Sequence, residues 1–235
     1  MKSFLQQLFT PFPRLYALLD TPLVLDAYKI AFTHPSYDDK INYQVYEQLG
    51  DLTINKFLVW YFYARFPHLQ HPGGVKIVAR LRINYGSKAF LAQLARELGF
   101  RSYILTGPGV PLTDSIYEDI FEAFIGVTET CMDTAYSLGM GWAECFMFLK
   151  SLMDTREIPL DYESLFDAKT RLKELCDKYK HFGKLTFSKK SNSCFAHIDS
   201  MGYIGSGRNE QEAAQCALRF LAQTGSTPAL GHNVA

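Results

Sequence analysis

The apolar residues of this chain keep one spacing up to about residue 155 and another beyond it, and that change dictates a fold in two parts. Apolar side chains recur at helical spacing over 15–25, 43–66, 75–98, 116–130 and 142–153, which predicts an all-helical first part. Breaks fall at Pro11 and Pro13, at Pro35, at HPGG (71–74), at TGPGVP (106–111) and at LGMG (138–141). After IPLDYESLFD (158–167) come a charged helix (169–179), strands at 184–189, 194–199 and 201–205, a turn at Gly205 and Gly207, and a final helix (210–222). An α-β-β-β-α order over so short a length describes a small α+β unit with two helices on one sheet face. The small, polar end GSTPALGHNVA (225–235) reads as a flexible tail.

Lysine plus arginine equal aspartate plus glutamate, 24 against 24, which argues against a simple polybasic nucleic-acid binder or membrane anchor. The balance is uneven along the chain, with 14 basic and 16 acidic residues over 1–160 but 10 against 6 over 166–224. The five cysteines are widely spaced, odd in number and without a CxxC pair. That excludes a disulfide framework and a zinc ribbon and suits a reducing, cytoplasmic setting. The opening MKSFLQQLFTPFP is too broken for a signal peptide, and no apolar run is long enough to span a bilayer. No membrane partner is expected.

Two of the apolar helices carry acids where core is expected. Glu47 and Asp51 stand four apart around Gly50, and their face continues into Ile54 and Leu58. Residues four apart share a helix face, and a glycine mid-helix is a common sign that another helix comes close. The candidate partner is EDIFEAFIGV (118–127), where Asp119 and Glu122 are three apart beside Gly126. Taken singly, either pair is more often an ordinary surface pair; two pairs, each beside a glycine on an apolar helix, carry more. Gathering four carboxylates in one partly buried site raises their pKa values, and a hard divalent cation relieves the cost. Oxygen ligands suit Mg²⁺, with Mn²⁺ as the substitute, and such a site can activate water for phosphodiester hydrolysis.

These residues lie in recognisable surroundings. AFTHPSYDDKINYQVYEQLGDLTINKFL (31–58) resembles the signature region of ribonuclease III, where THxSY precedes a helix bearing E-F-L-G-D. IYEDIFEAFIGV (116–127) is similar to that family's second acidic helix, and RLRINYGSKAFLAQLARELGF (80–100) to the helical stretch between the two. DAKTRLKEL (167–175) and GYIGSGRNEQEAAQCALRFL (202–221) resemble the first helix and the last strand-to-helix segment of a double-stranded-RNA-binding domain. DTAYSLGMGWAECFMFLKSLMD (133–154), together with the junction LDYESLFDAKTRLKEL (160–175), is similar to members encoded by large DNA viruses, which would place the protein in a host cytoplasm. The resemblance implies an all-α endonuclease domain of the ribonuclease III type at 1–157, a linker at 158–166 and an α+β double-stranded-RNA-binding domain at 167–224, ahead of the tail at 225–235. It also implies a Mg²⁺-dependent hydrolase acting on double-stranded RNA as a homodimer, one strand cut per subunit. Glu47, Asp51, Asp119 and Glu122 take the positions of the metal-binding, catalytic carboxylates.

Departures from the family pattern are specific. Gln44 stands where a further glutamate is usual, and Gln48 replaces an aromatic residue that commonly packs across the dimer interface. The lysine pair that usually opens the last helix and grips phosphate is replaced by Glu210 and Gln211, and the Gly-Pro-x-His loop between the first two strands is shortened to KKSNS (189–193). Lys169, Lys173, Lys184, Lys189, Lys190 and Arg208 remain as candidate phosphate contacts, sufficient in principle because duplex RNA is read largely by shape. The competing expectation is a catalytically silent double-stranded-RNA-binding or scaffold protein, for example a silencing suppressor, on the same fold. Four intact acids favour the enzyme; the altered dimer position and lost lysines favour the scaffold. His34 reads as a structural hydrogen bonder rather than a general base.

Overall fold

In a computed structural model that describes residues 1–224, the chain divides into two compact units, Met1–Glu157 and one beginning at Ile158. The tail read at 225–235 lies outside the described residues. No helix among them is long and apolar enough to cross a membrane. All five cysteines are free.

The first unit is helical: α1 (Lys2–Phe9), α2 (Pro13–Leu18), α3 (Val24–Ala31), α4 (Gln44–Arg65), α5 (Val75–Tyr85), α6 (Lys88–Glu97), α7 (Asp114–Ala135) and α8 (Met140–Asp154). Helix α7 is its axis. Ile120, Phe121, Ala123, Phe124, Ile125 and Val127 are fully buried on every side of it, as expected of a helix apolar all round. The Phe124 ring meets Phe9, Tyr28, Phe100 and Phe148 at centroid separations of 5.1 to 5.9 Å, each such pair contributing about 0.5–1.5 kcal/mol beyond its area. The one buried hydroxyl pair nearby is satisfied, Tyr28 to Thr128 at 2.8 Å.

Helix α4 crosses α7 so closely that only glycine fits at the crossing. A Cβ on Gly50 would stand 1.8 Å from the Glu122 carbonyl oxygen, and one on Gly126 2.1 Å from that of Tyr46. The close approach inferred from Gly50 is therefore real and reciprocal.

Three expectations change. The helix expected over 15–25 is two helices, because Pro22 lacks an N–H and turns the preceding residue away from helical backbone; Leu23 follows with a φ of +67° and 79% exposure. The helix expected over 75–98 breaks at Gly86 and Ser87, where Ser87 is extended (ψ 148°). Helix α1 lies outside the stretches of helical spacing, yet Leu5 and Phe9 are fully buried; its eight residues are too few for a clear period.

The second unit contains α9 (Tyr162–Leu165), α10 (Ala168–Lys178), β1 (Leu185–Lys190), β2 (Ser193–Ile198), β3 (Gly202–Gly207) and α11 (Glu210–Gln223). The strands form one antiparallel sheet in the order β1-β2-β3, with Leu185 opposite Ile198 and Cys194 opposite Gly207. Cys194, Ala196 and Ile198 alternate into a core with Leu172, Leu175, Phe182, Ala213, Ala217 and Leu221, the period-two pattern of a one-faced sheet. Asp167 and Asn209 cap α10 and α11 through Thr170 and Glu212 N–H, both at 3.0 Å. Gly205 and Gly207 were expected in a turn but lie within β3. A Cβ there would meet Ala213 O at 2.4 Å and Glu212 Cβ at 2.3 Å, so these glycines let α11 lie directly on the strand.

Candidate active site

The Gly50–Gly126 crossing sets the geometry of the acids. With the two backbones this close, Glu47 on α4 faces Asp119 and Glu122 on α7, and one carboxylate oxygen from each lies within 4.8 Å of the others. Glu122 is 8% exposed, while Glu47 and Asp119 are half-buried. Asp51 differs from expectation: it is exposed at the rim rather than turned inward. Four residues at about 100° each overshoot one full turn by about 40°, whereas seven undershoot two full turns by only about 20°, so Ile54 keeps Glu47's buried face and Asp51 leaves it.

Electrostatics marks the cluster as strained. Burial, followed by the charges of Asp51, Glu118, Glu47 and Asp119, pushes the Glu122 carboxyl up to about 8. Burial and then Asp119, Glu118 and Asp51 also raise Glu47. Among the described residues none of the four acids has an ion pair. Their hydrogen-bond partners are neutral: the Tyr43 hydroxyl donates to Asp119 Oδ2 at 2.7 Å, and the Asn55 amide donates to Asp51 Oδ1 at 2.7 Å. An array of hard oxygen donors around a buried carboxyl whose charged form is disfavoured fits a hard divalent cation such as Mg²⁺ or Mn²⁺.

Three nearby groups escaped the sequence reading. Tyr43 is buried and its phenol is held well above the ordinary range by burial and by Asp119; its place four residues before Glu47 was the available signal. Glu118 lies in the same YEDIFE run as Asp119, and Lys88 from the start of α6 pairs with it at 2.9 Å. Nothing local in the sequence joins Lys88 to that helix. His34 is a turn-former as expected: its Nδ1 accepts the Ser36 N–H at 3.0 Å, and its ring lies edge-on to Tyr43.

On the outer face of α4, Gln44 and Gln48 are exposed, and so are Val45, Leu49, Leu52, Val59, Trp60 and Tyr63. The stripe runs along one side of the helix, interrupted by Lys56 between Leu52 and Val59, opposite the buried Ile54, Phe57, Leu58 and Tyr61.

In the second unit the six candidate phosphate contacts are all exposed, but two are already engaged. Lys169 pairs with Glu210, and Arg208 Nη2 pairs with Glu212 at 2.6 Å. Gln211 ties the same helix ends together, accepting the Lys169 N–H at 3.1 Å and donating to Asp167 at 2.7 Å. Glu210 thus does more than repel phosphate; it also neutralises a neighbouring cation. Lys173 and Lys184 line a groove between α10 and β1, and Lys189 and Lys190 end β1 at the two-residue turn Ser191–Asn192, where Ser191 has a φ of +53°.

The chain is similar to several known proteins. Residues 44–129 match the family described as Ribonuclease III domain. A protein of Invertebrate iridescent virus 6, provisionally named ribonuclease 3, is 36% identical over 248 residues, covering 92% of this chain and 82% of that protein. A protein of Frog virus 3 with the same provisional name is 41% identical over 160 residues, 66% of this chain and 43% of its own length. The ribonuclease 3 of Geobacillus kaustophilus is 26% identical over 216 residues, 83% of this chain and 82% of that protein. The fold is similar to the nuclease domain of ribonuclease III from Campylobacter jejuni, with a TM-score of 0.50 and 18% identity over 66% of this chain and 99% of that one.

Proposed function

The chain belongs to the ribonuclease III family of endoribonuclease hydrolases, and from that membership we propose that it cleaves double-stranded RNA by Mg²⁺-dependent phosphodiester hydrolysis. The observation that carries the reading is the carboxylate trio Glu47, Asp119 and Glu122, gathered around a buried group that burial and like charge drive toward protonation. In this reading Glu47, Asp119 and Glu122 hold the metal, with Asp51 closing the rim. A bound Mg²⁺ or Mn²⁺ would supply Lewis acidity and a hydroxide nucleophile near neutral pH.

The protein's own residues do the rest. Tyr43 occupies Oδ2 of Asp119 and so leaves Oδ1 for a ligand. Lys88 offsets Glu118 beside the site. A homodimer would cover the exposed apolar stripe of α4, with Gln44 and Gln48 inside it, and would present two sites to the two strands of one duplex. Residues 1–157 would be the nuclease domain, 158–166 the linker and 167–224 the duplex-binding domain. Lys173, Lys184, Lys189 and Lys190 would meet phosphate there, with Lys169 and Arg208 contributing only after leaving their acids.

The test is cleavage of long duplex RNA by wild type and Glu122→Gln with product ends mapped. Mg²⁺-dependent cutting by the wild type alone is expected. Duplex binding without any cutting would mark the silent scaffold instead.

A further inference from the structure

Asp51 is the outlier of the carboxylate group, exposed and yet the neighbouring charge that most strongly acts on Glu122. An exposed aspartate on a helix ordinarily samples several rotamers. This one is held. The Asn55 amide nitrogen, one turn further along α4, donates both to the Asp51 carbonyl at 2.9 Å and to Asp51 Oδ1 at 2.7 Å. On its other side, Asn55 Oδ1 accepts from Arg82 Nη1 of α5 at 2.7 Å.

The chemistry of the three groups fixes the direction of this chain. A guanidinium can only donate and a carboxylate can only accept, whereas a side-chain amide does one at each end. With Arg82 on its oxygen, Asn55 must turn its nitrogen to Asp51, and both amide hydrogens are used there. Without Arg82 the amide oxygen loses its donor, and the side chain is anchored at one end only. Asparagine is also a poor residue for a helix interior, so its place in the middle of α4 calls for such a reason.

We propose that Asn55 and Arg82 are positioning residues for Asp51, with Arg82 orienting the amide of Asn55 and that amide holding the Asp51 carboxylate toward the acid site. The relay rests on the metal-site reading for its purpose. It predisposes the one solvent-exposed carboxylate before a cation arrives, in the way that outer hydrogen-bond partners orient metal ligands elsewhere.

The experiment measures Mn²⁺ binding to the full chain by calorimetry, without RNA, for wild type, Asn55→Leu, Arg82→Met, Arg82→Lys and the double variant Asn55→Leu/Arg82→Met. Circular dichroism establishes that each is folded. Asn55→Leu is expected to weaken Mn²⁺ by about tenfold and Arg82→Met by less, with Arg82→Lys recovering part of the loss. Because Arg82 acts only through Asn55, the double variant should match Asn55→Leu rather than show the two losses combined. Unchanged Mn²⁺ affinity in folded Asn55→Leu, or fully additive losses, overturns the relay. If the wild type binds no Mn²⁺, the metal-site reading falls separately. The relay is then decided on the metal-free protein, by the side-chain amide signal of Asn55 in a ¹H–¹⁵N spectrum. Displacement of that signal in both Arg82→Met and Asp51→Ala supports it, and an unmoved signal overturns it.

Discussion

The two units treat their charges in opposite ways. In the first, Glu47, Asp119 and Glu122 are brought together at a helix crossing with no ion pair of their own among the described residues, the nearby Lys88 being paired with Glu118, so part of the folding energy is held as repulsion. In the second, cations that could meet a polyanion are matched to acids of their own unit, Lys169 to Glu210 and Arg208 to Glu212. An uncompensated cluster favours a ligand of opposite sign; a compensated one must first give up its partner. The largest effect should therefore come from removing the repulsion. Glu122→Gln replaces a buried carboxyl by a neutral amide of the same shape. It should abolish RNA cleavage below detection, raise the melting temperature of the metal-free protein at pH 8, and erase the Mg²⁺-induced rise expected of the wild type by scanning fluorimetry. A metal-induced shift that survives the substitution would break the contrast between the units.

The same repulsion gives a pH dependence with a definite sign. Glu122 is raised from 4.5 to about 8 in the folded protein. Between those values the folded state keeps a proton that the unfolded state has released, so stability of the metal-free protein falls as pH rises through this window. Metal must displace that proton, so Mn²⁺ affinity should grow by about tenfold per pH unit up to about 8 and level off above it. Calorimetry in buffers of different ionisation enthalpy would count the released proton. A flat affinity from pH 6 to 8 would mean that Glu122 is already charged without metal. Next in size is Tyr43→Phe, which strips the single hydroxyl that Asp119 accepts. A hydrogen bond to a charged group contributes about 1.5–3 kcal/mol, so duplex cleavage should slow by roughly tenfold or more through kcat, with little change in KM.

Most of the site was legible because it is local. The two acidic pairs sit within single helices, and the glycine beside each pair announced the close approach that unites them. The apolar stretches likewise fixed the cores of α4, α7 and α8, whose side chains repeat long enough to show a period. What escaped was set by contacts between distant segments. Lys88 lies 30 residues before Glu118 in the chain, and Arg82 27 residues after Asn55, and neither pairing leaves a spacing rule. The inward placement expected for Asp51 failed for a smaller reason, the difference of about 40° between four residues and one full turn. Gly205 and Gly207 misled for the opposite reason. Glycine signals a turn or a close approach equally well, and only the position of α11 decides between them.

The smallest effect tests the second unit. Sequence alone casts Glu210 as a missing lysine, whereas the fold adds that it also occupies Lys169 and receives further attraction from Lys189. Both groups are exposed, so the pair itself contributes little to stability and can be undone at little cost. Glu210→Lys would restore a cation at the start of α11 and release Lys169 at once, giving two more phosphate contacts. Duplex affinity of the full chain should rise several-fold at about 0.15 M salt, and its dependence on salt should steepen by roughly two contacts. Glu210→Gln releases Lys169 without adding a charge, so it should recover about one contact by the same reasoning. Equal affinities across the three proteins, by filter binding over a salt series, would show that this helix end never meets RNA. A rise with Lys but none with Gln would show that Lys169 is held by something other than Glu210. The ordered series, wild type below Gln below Lys, is what a phosphate surface silenced by its own acid requires.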